Sequence, residues 1–207
     1  MGLEDFNGNH VRVGAGLMFV RGLTLAIGRG LTEHWGFEGS LDWVPEVKEI
    51  CIFSHNGGCY DDYWKRLRIG ALAKFSIRDS SAPVFRRMFG VDSFLSGAVV
   101  YEIFSGRNEF YVGPESKFYN PNRLPILYSK FEQLQIQMGF GKDWSKGDYF
   151  FGCEWFGISV PVFDFSQKFT SEVDPAENDV LQAQNYRKNF ADFPSLRLFN
   201  FYLGYFF

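Results

Sequence analysis

The sequence predicts an all-β protein whose antiparallel strands close into an up-and-down barrel. Apolar and polar residues alternate in runs along most of the 207-residue chain, with the period of two that is typical of a half-buried strand. Aromatic residues make up 19% of the chain and there are 22 glycines, a composition that favours strands and turns. No helical pattern, repeat or linker interrupts these runs, which predicts one domain over residues 1–207.

The clearest predicted strands lie in the first part of the chain, at 11–19, 23–28, 35–43 and 66–77. Turn-forming residues at 20–22 and 32–35 separate the first three. The fourth strand has the most distinct faces, because apolar residues alternate there with Arg66, Arg68 and Lys74. These four segments therefore predict consecutive strands of a single sheet.

The middle of the chain leaves the number of strands open. Residues 85–104 are too long for one ordinary strand, so we split them into strands at 85–91 and 95–104. Further strands are expected at 109–118, 133–141 and 149–165, with a last one at the C-terminus. This division gives about ten strands, and a barrel of eight is the alternative.

The C-terminal strand carries the most specific signal. From Phe199 onward every second residue is large and apolar, and this face continues to the last residue, Phe207. The pattern resembles the C-terminal strand of bacterial outer-membrane β-barrels, which the assembly machinery recognises and which closes the barrel against the first strand. The resemblance implies that the assembly signal consists of Leu203, Gly204, Tyr205 and Phe207.

The same resemblance implies a transmembrane barrel in a bacterial outer membrane, with outer-membrane lipid, lipopolysaccharide and the barrel assembly machinery as partners. Residues 1–5 lack the basic and apolar regions of a secretion signal, so we expect that signal to have been removed. In this family both termini and the short turns lie on the periplasmic side, while the long loops lie outside. Ten strands would place the long loops at 46–63, 119–127 and 167–194 outside, and the turns at 32–35, 79–83, 105–108 and 143–147 inside.

A soluble β-barrel is the competing interpretation, because a period of two does not say which face is inside. Long aromatic faces opposite glycine-containing faces favour lipid, as do aromatic residues near the predicted strand ends, such as Trp35, Trp43 and Trp144. The mean hydropathy of −0.15 is compatible with a membrane barrel, whose lipid face takes only alternate residues. The net charge of −3 gives no reason to expect a nucleic-acid partner.

In a membrane barrel the polar faces would line the lumen. The predicted lumen network consists of Arg12, Glu38, Asp42, Arg66, Arg68, Lys74, Glu102 and Glu154, and Asp92 shares this facing. Because a small barrel is only about wide enough for side chains, these charges should pair, with Glu38 and Asp42 as the best partners for Arg66 and Arg68. Gln133, Gln135 and Gln137 should face the same lumen, whereas Arg197 shares the parity of the apolar face and should lie at the outer rim.

Cys51 and Cys59 bracket a short segment with two glycines, which predicts a disulfide-closed loop in an oxidising compartment. Two unpaired thiols are the alternative, and a zinc site is disfavoured because only His55 lies nearby. Cys153 is expected on a strand as a small apolar residue.

No catalytic residue, cofactor or metal ligand is predicted. His55 lies near Ser54, Asp61 and Asp62 in an expected outer loop, which we interpret as a solvated loop; a divalent ion at the two aspartates is the less favoured reading. The favoured function is a small outer-membrane barrel with a plugged lumen and a structural or surface-interaction role, its surface partner being unknown. A narrow channel for small or apolar solutes is the alternative, and a soluble ligand-binding barrel and a lipid-modifying enzyme are less favoured.

Overall fold

The computed structural model describes residues 8–18, 22–32, 34–50, 61–77, 93–109, 126–171 and 194–207. These residues form eight strands: β1 (Asn9–Met18), β2 (Leu23–Gly30), β3 (Trp35–Ile50), β4 (Asp61–Ile77), β5 (Ser93–Glu109), β6 (Ile126–Lys146), β7 (Tyr149–Ser171) and β8 (Ser195–Phe206). Each strand pairs with the next and β8 pairs antiparallel with β1, which closes the ring. No helix in this part of the chain is long and apolar enough to span a membrane.

The predicted fold class is confirmed in its eight-stranded form, and the preferred count of ten is wrong. The ring closes with eight strands, so it has no place for two more. The expected turn at 105–108 lies within β5, where Ser105 pairs with Lys65 on one side and Lys130 on the other. Pairing on both sides overrides the local turn tendency of these residues. The predicted strand at 85–91 lies outside the described residues, as does the predicted strand at 109–118 except for Glu109, which is the last residue of β5.

Two short connections, the start of β1 and the end of β8 lie at one end of the barrel. The β2–β3 connection and the β6–β7 turn at Gly147 (φ 61°) lie there, and the backbone nitrogen of Phe207 donates to the carbonyl oxygen of Asn9 at 2.9 Å. The strand ends that flank residues 51–60, 110–125 and 172–193 lie at the opposite end. We refer to these as the terminal end and the loop end.

The outward faces of the strands form an apolar band. On β3, β4 and β5 the outward positions of 35–43, 67–75 and 95–103 are apolar, aromatic or glycine, and Leu134 to Phe140 continue the band on β6. Nine residues per strand match the roughly 9–11 that a tilted strand needs to cross a bilayer. Lys142 at the terminal end and Lys65 at the loop end lie just beyond the band, and Arg29 of β2 lies opposite Phe37 near the terminal end.

β7 departs from simple alternation at three bulges. Its register against β6 shifts at Trp155, Val162 and Phe165, each of which has no partner on β6 and is exposed. One extra residue in a strand reverses the side on which the following residues point. Phe199 of β8 lies beside Trp155, with ring centroids 6.1 Å apart, and has a left-handed backbone (φ 53°). The inward–outward alternation of side chains therefore reverses in β7 and in β8 at neighbouring positions, Trp155 and Phe199.

Candidate functional site

A layer of ion pairs fills the lumen near the terminal end. Arg12 Nε donates to Glu38 at 2.6 Å, and His10 Nε2 lies 3.1 Å from the other oxygen of the same carboxylate. Lys74 pairs with Asp143, which also accepts a hydrogen bond from the hydroxyl of Tyr202. All of these side chains are buried and they come from different parts of the wall, so the layer ties the strands together across the lumen.

Aromatic rings close the lumen beneath this layer. Phe94, Phe150 and Tyr202 form a buried cluster against Phe206, and Lys74 Nζ lies 3.9 Å from the centroid of the Phe94 ring. Inward-facing glycines make room for the rings: a Cβ at Gly204 would overlap Phe150. We conclude that Gly204 has a packing role in the lumen.

A second polar layer lies nearer the loop end and is centred on Glu102. Its carboxylate accepts from Arg68 Nε, from Gln133 Nε2 at 2.9 Å and from Gln135 Nε2 at 3.0 Å, and Arg66 Nε lies 3.3 Å away. Glu102 is 1% exposed. A buried carboxylate is tolerated when cations and hydrogen-bond donors surround it, and this one has two of each.

A second aromatic cluster lies above the Glu102 layer. Val44, Trp64, Phe104 and Phe131 are buried together, with Phe169 packed against them. The Arg66 guanidinium carbon lies 5.4 Å from the Trp64 ring and 5.7 Å from the Phe104 ring. Arg66 therefore joins the aromatic cluster to the polar layer through cation–π contacts.

The placement predicted for Arg197 at the outer rim is wrong. Arg197 Nη2 donates to Glu154 Oε1 at 3.0 Å, with the two side chains 15% and 8% exposed. Strict alternation along β8 puts Arg197 on the same face as Phe199 and Phe201. The left-handed backbone at Phe199 and the bulge at Trp155 reverse this alternation, so Arg197 points inward. The residue opposite Arg197 is Gly157, which leaves room for the pair because a Cβ there would meet both partners.

Seven of the eight residues predicted for the lumen network are buried: Arg12, Glu38, Arg66, Arg68, Lys74, Glu102 and Glu154. Asp42 is partly exposed and forms no ion pair within the described residues. Glu38 and Asp42 were predicted as the partners of Arg66 and Arg68, and this prediction is wrong. Both arginines lie within ion-pair distance of Glu102 instead. Arg68 lies directly opposite both Asp42 and Glu102, whereas Glu38 is occupied by Arg12 and His10.

Three residues of the lumen layers were missed by the sequence reasoning: His10, Asp143 and Tyr202. Asp143 was assigned to a turn, but β6 continues to Lys146 and Asp143 shares the parity of Gln133, Gln135 and Gln137, all buried. Tyr202 shares its parity with Asn200 and Gly204. The signal that could have found all three is the alternation along each strand, which for His10 and Asp143 continues past the predicted strand ends.

The assembly-signal residues lie on both faces of β8. Leu203, Tyr205 and Phe207 are 58%, 40% and 62% exposed on the outer surface, while Gly204 faces the lumen. Their role in assembly stays a prediction.

Several predicted residues cannot be placed. Ser54, His55, Asp92, Cys51 and Cys59 lie outside the described residues, as do the side chains of Asp61 and Asp62. The disulfide therefore stays a prediction, which mass spectrometry of the non-reduced protein checks: a bridge lowers the mass by two hydrogens, and two alkylatable thiols would contradict it.

Cys153 is a buried free thiol beside the Trp155 bulge. Within the described ranges, no group of three or more His, Cys, Asp and Glu side chains could hold a metal ion.

No protein-family model matches the chain, and no curated protein matches its sequence. Solved structures do match its fold. CarO of Acinetobacter baumannii is 12% identical with a TM-score of 0.54, and the match covers 100% of both chains. CarO2 of the same organism is 12% identical with a TM-score of 0.54, covering 97% of each chain. A major outer membrane protein of Thermus thermophilus is 11% identical with a TM-score of 0.56, covering 96% of this chain and 98% of that one.

These likenesses confirm the predicted resemblance to outer-membrane barrels at the level of the fold. The chain is an all-β, antiparallel up-and-down barrel of eight strands in a closed ring.

Proposed function

We propose that the protein spans a bacterial outer membrane as a closed barrel with a structural or surface-interaction role. The observation that carries this proposal is the reversed polarity of the fold, by which we mean that apolar side chains lie outside and charged side chains inside. Large apolar side chains such as Ile27, Met138 and Leu203 are 62%, 62% and 58% exposed on the outside, while ion pairs are buried inside. A soluble protein rarely exposes so large a continuous apolar surface, whereas a bilayer covers it.

The packed lumen supports a role other than conduction. Arg12, Arg66, Arg68, Lys74 and Arg197 each lie within ion-pair distance of a carboxylate. Two aromatic clusters lie beyond the polar layers, and an eight-stranded barrel is only about wide enough for its own side chains. We propose a non-enzymatic role for the same reason, since these ionisable groups are engaged with one another.

Planar-bilayer recording of the refolded full chain tests this proposal. The proposal predicts no stepwise conductance from the parent protein. The double variant Phe94→Ala/Tyr202→Ala removes two rings of the aromatic cluster near the terminal end and serves as a control with an opened lumen. This control is valid if the variant still migrates as a folded barrel on an unboiled gel. Steps from the parent that match those of the variant would contradict the plugged lumen.

A narrow channel is the second candidate, and one observation favours it. Arg68 Nη2, Gln133 Oε1, Gln135 Oε1 and Gln137 Nε2 are buried but have no hydrogen-bond partner in the described structure. Buried polar atoms are usually satisfied, and water in the middle of the lumen would satisfy these. A hydrated middle section would conduct only if both aromatic clusters opened, which the recording of the parent protein would reveal.

The proposed partners follow from the location. Lipid covers the apolar band, and the strand ends at the loop end would carry the surface contacts. The assembly machinery would recognise β8, so removal of Phe207 should reduce the amount of barrel inserted in cells more than it reduces stability in detergent. Equal losses in both measurements would contradict a recognition role.

A further inference from the structure

Three outward lysines lie in one row just beyond the apolar band at the loop end. Lys65 lies opposite Ser105, Ser105 opposite Lys130, and Lys130 opposite Lys168, so the three lysines lie along one row of paired residues across β4 to β7. All three are exposed. Neighbouring strands are about 4.8 Å apart, which places Lys130 beside Lys168 and about 10 Å from Lys65. We call these three residues the lysine row.

Among the described side chains, the lysine row carries more positive charge than its neighbours neutralise. Glu132 accepts from Lys130 at 2.6 Å and from the hydroxyl of Tyr101 at 2.9 Å, so it sets one negative charge against the three positive charges of the row. Lys65 and Lys168 form no ion pair within the described residues, and like charges directly opposite on paired strands are destabilising. An anion would relieve this repulsion.

The surface next to the row is apolar on one side. Leu67 and Ile103 are paired closer to the middle of the band, and the exposed rings of Phe163 and Phe165 lie on β7 nearby, with Phe165 5.6 Å from Tyr101. A ligand that fits this surface has an anionic head at the lysines and an apolar tail along the band. This combination describes a membrane lipid better than a free anion.

We propose that the lysine row binds the phosphate groups of a phosphorylated lipid in the membrane leaflet at the loop end. This inference rests on the proposed membrane location and deepens it by assigning a lipid site. Ammonium groups at a membrane surface attract anionic headgroups with about 1 kcal/mol each, equivalent to roughly fivefold in affinity per lysine. Three lysines on rigid, paired strands act together on one headgroup.

The test measures lipid binding by the refolded full chain in maltoside micelles with native mass spectrometry. The probe is bis-phosphorylated lipid A, and the comparison lipid is the same molecule without its phosphates. The row variant is Lys65→Gln/Lys130→Gln/Lys168→Gln. The matched control, Arg29→Gln/Lys142→Gln/Lys146→Gln, removes the same amount of charge near the terminal end. Every protein is first checked for a heat-modifiable band.

We expect the parent to prefer the phosphorylated lipid, the row variant to lose about tenfold or more in affinity, and the control to stay within about twofold. Equal binding of the two lipids, an unaffected row variant, or an equal loss in the control would overturn the assignment. Displacement of the lipid by excess inorganic phosphate would show a site for the free anion and would overturn it as well. A parent without a heat-modifiable band would instead count against the proposed membrane function, and the lipid site would fall with it.

Discussion

In the Glu102 layer, loss of the carboxylate should lower the stability of the barrel more than loss of one arginine. Glu102→Gln leaves Arg66 and Arg68 buried, at 8% and 3% exposure, without the carboxylate that they share. Removal of one member of a buried ion pair typically costs about 3–5 kcal/mol. Arg68→Met removes one charged hydrogen bond, but Glu102 keeps Arg66 and two glutamine donors, so its cost should be about 1.5–3 kcal/mol.

The assay is equilibrium unfolding in denaturant of the barrel refolded into lipid vesicles, followed by tryptophan fluorescence and by gel migration. Glu132→Gln is the matched control, because Glu132 forms its ion pair on the outer surface and should cost no more than about 1 kcal/mol. The double variant Glu102→Gln/Arg68→Met should be less destabilised than the sum of the two single variants, since each removes part of the same contact. A neutral Glu102→Gln, or an Arg68→Met that costs clearly more, would refute this reasoning.

Three further substitutions test packing, backbone strain and facing. Gly28→Ala should destabilise the barrel by about 1–3 kcal/mol, because its Cβ would lie 2.7 Å from His10 Nε2; Gly97→Ala, with nothing within 4 Å, is the control and should be nearly neutral by denaturant titration. Phe199→Gly should be about 1 kcal/mol more stable than Phe199→Ala, since glycine adopts φ 53° without strain; equal stabilities would argue against a left-handed backbone there. Leu203→Arg should cost about 2–4 kcal/mol if the site lies near mid-membrane, and unimpaired insertion into vesicles would contradict a lipid-facing position.

Local alternation was enough to predict the strand class and the facing of most charges. The run from Arg66 to Ile77 was assigned correctly because one register holds along it, with Arg68 and Lys74 on the inner side. The strand count failed where a turn-like segment, 105–108, pairs with neighbours that lie far away in sequence. Alternation alone contains no information about such long-range pairing.

The candidate site was less predictable, because it depends on register and on bulges. Asp42 and Glu102 are both cross-strand neighbours of Arg68, and only the three-dimensional arrangement shows that Glu102 takes the ion pair. Arg197 was misplaced because a single left-handed residue, Phe199, reverses the parity of the strand. A bulge of this kind lacks the glycine that usually marks one, so the sequence offered no local signal for it.

The most direct test of the reversed polarity is the accessibility of spin labels on β8 in lipid vesicles. Labels at Leu203 and Tyr202, introduced as cysteines in a chain whose three native cysteines are replaced, lie on opposite faces of one strand. The label at position 203 should collide freely with oxygen, which dissolves in lipid, and hardly with a water-soluble nickel chelate, whereas the label at 202 should be shielded from both. Free access of the nickel chelate to position 203, with the protein soluble in the absence of lipid, would contradict a membrane-spanning barrel.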